Sequence, residues 1–202
     1  MLATMEHLDV YLLVRDLDQF GPVWDRPLGR HCFPLVEKAL CELPEHQALN
    51  LFFSTQCRAS SSFLDEVVVE LAHRLTQKVY KEKGLVVTGL SDSEEFDLDG
   101  ALSVRWMKAH REGTEFTAAV IFVIQESPRE WRLVGHLEKT LHEALVEVGR
   151  ASEITAAELA AALNLDTKNA STRLKRLHQR ALVGRQERRS EAGREYVYFF
   201  WA

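Results

Sequence analysis

Residues 155–200 read TAAELAAALNLDTKNASTRLKRLHQRALVGRQERRSEAGREYVYFF, and this run decides how the rest of the chain is parsed. Thr155 and Glu158 have the spacing of a capping box, in which the hydroxyl accepts from the N3 amide and the carboxylate reaches back to the cap amide. A short alanine-rich helix follows, small enough in its side chains to pack closely on a neighbour. Asp166 or Thr167 can cap a second helix over KNASTRLKRLHQRAL. On it Ala170, Leu174, Leu177 and Ala181 share one side, while Lys168, Asn169, Ser171, Thr172, Lys175 and Arg176 take much of the rest. Gly184 reads as its stop. RQERR and REYVYFF then read as two strands joined through SEAG, where Gly193 permits a positive φ.

The charge is unevenly placed. Counting from Arg150, ten Lys and Arg face six Asp and Glu, a surplus of four positive charges on a chain whose formal net charge is −5, so that the residues before it carry −9. A polyanion, if one binds, would bind at the C-terminal end. A solvated charged surface would give the same count.

The paired helices, the run from Ser171 to Lys175, the Leu182–Val183 turn and the Gly193–Arg194 hairpin resemble the winged helix-turn-helix of MarR- and ArsR-like transcription regulators. The resemblance covers about the last seventy residues. It implies an α+β winged-helix domain at 128–202 whose recognition helix starts near Asp166. Thr167, Lys168, Asn169, Ser171 and Thr172 would then face bases or phosphates of double-stranded DNA, with Arg173 and Lys175 further along. Arg188, Arg189 and Arg194 would correspond to the wing. A winged helix that only dimerises or docks a protein is the alternative.

Before this module the sequence alternates. PLVEKALCEL reads as a helix beginning at Pro34, ALNLFF as a buried strand, and SFLDEVVVELAHRLTQKVYKEKG as an amphipathic helix stopped by Gly84. GLVVTGL and EFTAAVIFVIQE read as strands. ALSVRWMKAH is open between helix and strand, with Trp106 and Met107 assigned either to the core or to a dimer interface. SDSEEFDLDG reads as a solvated acidic loop, without the alternating oxygen ligands of a calcium loop. This succession gives a small α/β domain over 1–127, with a boundary near Pro128. RLVGHLEKTLHEALVEVG then resumes a helical period, with Leu133, Leu137, Leu141, Leu145 and Val148 on one stripe.

Within the first domain, a strand runs into the serine turn at residues 60–62, and Ser62 with Asp65 has near-capping-box spacing. Ser61-to-Glu66, reading SSFLDE, with Arg26, Gly29 and Arg30 upstream, resembles the STAS-like domains of bacterial regulatory proteins and, more distantly, anti-anti-sigma factors. In the latter a serine at this helix start is phosphorylated by a partner kinase with a histidine-kinase-like ATP fold. Ser61 matches that serine by position, and Ser62 neighbours it; both are candidates for phosphorylation or partner docking. Serines that only cap a helix are the alternative.

No Gly-rich phosphate loop, His-Glu-x-x-His or Gly-x-Ser-x-Gly motif occurs, so no catalytic set, cofactor or metal site is expected. A catalytic role for Ser61 and Asp65 is the enzyme alternative. Cys32, Cys41 and Cys57 are too few and too scattered for a zinc or disulfide framework and read as reduced. The first eighteen residues lack a basic n-region and a long apolar run, which predicts neither signal peptide nor membrane span, and a cytoplasmic location. The expected protein is a DNA-binding transcriptional regulator, a homodimer whose N-terminal domain senses, docks or dimerises. The alternative is an interaction adaptor or partner-switching component in which both domains bind proteins.

Overall fold

The computed structural model describes residues 5–15, 17, 24–56, 58–126, 129–190 and 193–202. Strands β1 (Met5–Asp9), β2 (Gln47–Phe52), β3 (Lys83–Thr88), β4 (Val120–Glu126) and β5 (Arg129–Val134) form one sheet in the order β1-β2-β3-β4-β5. The first four are parallel and β5 returns antiparallel to β4, making the sheet mixed. Each parallel crossover of this set carries helix: α1 (Val10–Arg15) and α2 (Arg26–Glu42) between β1 and β2, α3 (Ser61–Leu64) and α4 (Glu70–Thr76) before β3, and α5 (Asp92–Glu112) before β4. The fold is thus mixed α/β, as the alternation predicts.

Both faces of the sheet are covered, which explains why β2, β3 and β4 read as continuous apolar runs rather than alternating ones. Leu49, Leu51, Leu85, Val87, Val120 and Phe122 point into a cluster with α2 to α5. Ala48, Val86 and Ile121 point the other way, into a cluster built with α6 (Lys139–Ala151) and the chain's last residues. Asn50, fully buried on this second face, is satisfied by the Thr88 hydroxyl at 2.9 Å and by His7 Nδ1 at 2.9 Å.

The C-terminal module consists of α6, β6 (Glu153–Thr155), α7 (Ala156–Leu163), α8 (Thr167–Gln179), β7 (Val183–Ser190) and β8 (Gly193–Phe200), with its sheet ordered β6-β8-β7. The Thr155–Glu158 capping box is complete: Thr155 Oγ1 accepts from the Glu158 amide, and Glu158 accepts from the Thr155 amide at 2.7 Å. Asp166 caps α8 by accepting from the Asn169 amide at 2.8 Å.

Several boundaries differ from the sequence reading, each for an identifiable reason. Pro34 lies inside α2, which begins at Arg26 with Asp25 as its cap and Pro27 in the first turn. Gly84 does not stop a helix. It sits in β3, where an added Cβ would collide with the Trp201 indole, while the preceding helix ends near Gln77. Gly184 is likewise a strand residue, leaving room for the Phe199 ring, and α8 is closed instead by Arg180 and Ala181, the latter at φ 56°. The acidic stretch SDSEEFDLDG is no loop: Ser91 and Glu94 form a capping box that starts α5, and Glu94 is buried.

ALSVRWMKAH continues that helix. Leu133 belongs to β5 and Leu137 precedes α6, so the apparent five-residue stripe straddles a strand and a helix. Serine capping is shifted too, since Ser60 rather than Ser62 caps α3, accepting from the Phe63 amide at 3.3 Å. The boundary proposed at Pro128 and the thiol of Cys57 lie outside the described residues. Among the described residues no helix is long and apolar enough to cross a membrane.

Candidate nucleic-acid interface

Helix α8 is held by the side that carries Ala170, Leu174 and Leu177, all fully buried against α6, α7 and β7. The opposite side follows from the 3.6-residue period: Lys168, Thr172, Lys175 and Gln179 form one exposed stripe, with exposed Ser171 and Arg176 beside it. No carboxylate interrupts the helix itself. Thr172 folds its hydroxyl back to the Lys168 carbonyl at 2.8 Å, which leaves the two lysines as the forward-reaching groups of the stripe.

The other predicted residues of α8 are placed differently. Thr167 is exposed at the first helical position. Asn169 and Arg173 lie on the flank beside α6. Arg173 Nε donates to Asn169 Oδ1 at 3.2 Å, its Nη1 donates to the Thr140 carbonyl at 3.1 Å, and Glu143 lies 3.5 Å away. Its side chain is 13% exposed, so it braces two helices rather than projecting from one. His178 occupies the other flank, within 2.9 Å of Glu82 at the start of β3.

The β7–β8 hairpin carries the three predicted arginines. Arg188 stands directly opposite Glu195 and pairs with it at 3.1 Å, and Arg194 reaches diagonally to Glu187 at 3.4 Å. Arg189 stands opposite Arg194 and has no acidic partner among the described residues. Two of the three guanidinium groups are therefore half-neutralised within the hairpin, in solvent-exposed pairs of the kind worth about 0–1 kcal/mol that a stronger anion can replace. Arg185 stacks its guanidinium 4.5 Å over the Tyr196 ring at the hairpin base.

The serine turn lies on the far side of the molecule's first sheet, at the carboxyl end of β2. Ser61 is exposed as the first residue of α3, whereas Ser62 shares a hydroxyl–hydroxyl bond of 2.9 Å with Ser60. Asp65 opens a π-helical turn (Asp65–Val69) between α3 and α4 and is bridged by two arginines, Arg26 at 3.0 Å and Arg105 at 2.6 Å. Arg105 goes on to Glu70 at 2.7 Å, Glu70 to Arg74 at 3.0 Å, and Arg74 to Glu37 at 2.7 Å, where the Tyr80 hydroxyl also donates. This chain of charges ties α2, α4 and α5 together. Burial works to push the Glu70 carboxyl up, yet its two arginine partners hold it below the usual carboxylate range. Burial likewise acts to lower the Arg105 guanidinium, and Asp65 and Glu70 more than offset it.

Sequence reading missed this network because its members come from four separated segments, although the i,i+4 pair Glu70–Arg74 was visible. It also missed Arg180, which with Arg176, His73, Lys78 and Glu138 lines a cleft of about 530 Å³ between α4 and the end of α8. Among the described residues no group of His, Cys, Asp and Glu side chains converges in a way that could hold a metal ion. No protein-family model matches the chain, and no curated protein matches it.

Proposed function

We propose that the protein is a DNA-binding transcriptional regulator, with a STAS-like N-terminal domain joined to a winged-helix module whose α8 is the recognition helix. The observation that carries this reading is the outward face of α8, where Lys168, Lys175 and Arg176 are exposed on a helix without a carboxylate. The buried face of the same helix fixes that surface rigidly, as groove reading requires. Cationic side chains supply affinity through phosphates, and Ser171, Gln179 and Thr167 supply the neutral donors and acceptors that base edges recognise. The hairpin stands beside this helix with Arg189 available for the backbone.

Ser61 fits the regulatory half of the proposal. It is exposed at a helix start, where a phosphate gains from the helix dipole, and Arg26 lines the same groove. A partner kinase would then switch docking at this turn.

The hairpin pairs Arg188–Glu195 and Arg194–Glu187 favour a second reading, an adaptor whose winged helix docks a protein. Selection of bound sequences from a pool of random duplex DNA separates the two. Enrichment of a site, lost in a Lys168→Ala/Lys175→Ala variant, is expected for the regulator. Absence of enrichment for the wild-type protein would leave the adaptor reading standing.

A further inference from the structure

Helix α5 presents an apolar stripe to solvent. Phe96, Val104 and Met107 are 79%, 61% and 44% exposed, and nothing lies within 4 Å of where a Gly100 side chain would be. With a 100° step per residue, Phe96, Gly100, Val104 and Met107 fall within one narrow sector pointing away from the buried Leu98, Ala101 and Leu102. Three large exposed apolar groups around a glycine on one helix face are more than the scattered surface leucines of an ordinary monomer.

The charges flanking the stripe show what covers it. Asp92 and Asp97 lie in the first turns, Lys108 and Arg111 in the last, and none of the four has an ion-pair partner among the described residues. Acids early and bases late suit the helix dipole, but dipole compensation does not require them to border an exposed apolar stripe. The same order is self-complementary under a two-fold axis that runs two copies of α5 antiparallel. Opposing Gly100 to Val104 of the second copy brings Phe96 against Met107, Asp97 alongside Lys108, and Asp92 toward Arg111. A parallel pairing would instead set like charges together. We infer that α5 is the homodimer interface of this protein, an antiparallel helix pair in which the second copy's Val104 seats on Gly100.

Twenty-one residues give a helix about 30 Å long. A standard specific contact buries roughly 800 Å² per partner, and a dimer built on a single helix pair is expected to dissociate on dilution.

The inference stands independently of whether α8 binds DNA, because its readout is mass. Sedimentation equilibrium of the full chain is expected to show a concentration-dependent dimer. Phe96→Glu, at an exposed site, is expected to leave the fold intact by circular dichroism and to weaken the dimer at least tenfold. Asp97→Lys is expected to weaken it as well, and Asp97→Lys/Lys108→Asp to restore it, since the swapped pair is again complementary. A chain that stays monomeric at its highest soluble concentration, a dimer indifferent to Phe96→Glu, or a double swap without rescue would each overturn the inference.

Discussion

The indole of Trp201 lies directly over Gly84, with its Nε1 donating to the Ala181 carbonyl at 2.9 Å and its edge against Phe199 at 5.1 Å between ring centroids. One side chain thus touches β3 of the first sheet, the turn that ends α8 and the last strand of the C-terminal module. Gly84→Ala places a methyl group where the indole ring is, so that ring or strand must shift. Overpacking of this kind costs about 1–3 kcal/mol. Thermal denaturation followed by circular dichroism is expected to show the midpoint lowered by several degrees, with N-terminal sheet and C-terminal module melting together. Separate melting of the two would show that Trp201 does not couple them.

The contact between Glu82 and His178 makes the same junction sensitive to acid. Burial acts to raise the Glu82 carboxyl, but its bond to His178 and the charges of His178, Arg185 and His46 hold it below the ordinary carboxylate range. A carboxylate depressed on folding contributes stability that is present above its unfolded value, near about 4.3, and lost as pH falls from there through the folded value. Glu82→Gln is therefore expected to lower stability at pH 7 by about 1.5–3 kcal/mol, the range for hydrogen bonds to charged groups. The gap between variant and wild type should close as pH drops below about 4. Urea melts at a series of pH values measure it, and a gap constant with pH would sink the assignment.

Arg105 is the centre of the charge chain, holding Asp65 and Glu70 at 2.6 and 2.7 Å with only 26% of its side chain exposed. Arg105→Met keeps much of the volume but takes one of two arginine partners from each of Asp65 and Glu70, leaving them Arg26 and Arg74. Breaking a largely buried pair by removing one partner costs on the order of 3 kcal/mol. Adding Glu70→Gln removes one of the two carboxylates so affected, and the double variant should be more stable than the sum of the singles predicts. Additive losses in a double-mutant cycle would mean that the two residues act separately.

How far the sequence could carry these conclusions depends on the range of the interactions involved. Local signals were readable: the Thr155–Glu158 box, the Asp166 cap and the Gly193 turn at φ 123° all need only neighbours along the chain. The parallel strands β2, β3 and β4 were readable as apolar runs because both faces are buried, whereas the more exposed β1 gave no such run. Gly84 and Gly184 were misread because their reason is an aromatic ring arriving from elsewhere, Trp201 in one case and Phe199 in the other. Glycine as a helix stop and glycine as a seat for a ring are the same letter. The acidic run at Asp92 was misread because it opens an amphipathic helix whose exposed side is itself partly apolar, which dilutes the period. On α8, position along the helix was legible, but which flank faces α6 was not, so Arg173 could not be told from Lys168.

That distinction supplies the sharpest check on the DNA reading. Lys168 and Lys175 point outward, whereas Arg173 is tied to Asn169, the Thr140 carbonyl and Glu143. If α8 enters a groove, Lys168→Ala and Lys175→Ala each remove one phosphate contact. The slope of log affinity against log salt should then flatten by about 0.9 for each lysine lost, with stability unchanged within about 0.5 kcal/mol. Arg173→Ala should do the reverse, lowering the melting temperature through the lost α6–α8 brace while leaving the salt slope intact in protein that remains folded. Fluorescence anisotropy on a selected duplex at several salt concentrations, read beside thermal melts of the same variants, measures both. An unchanged slope for the lysine variants, or a slope that follows Arg173 instead, would mean that DNA meets a different face of the helix from the one the fold exposes.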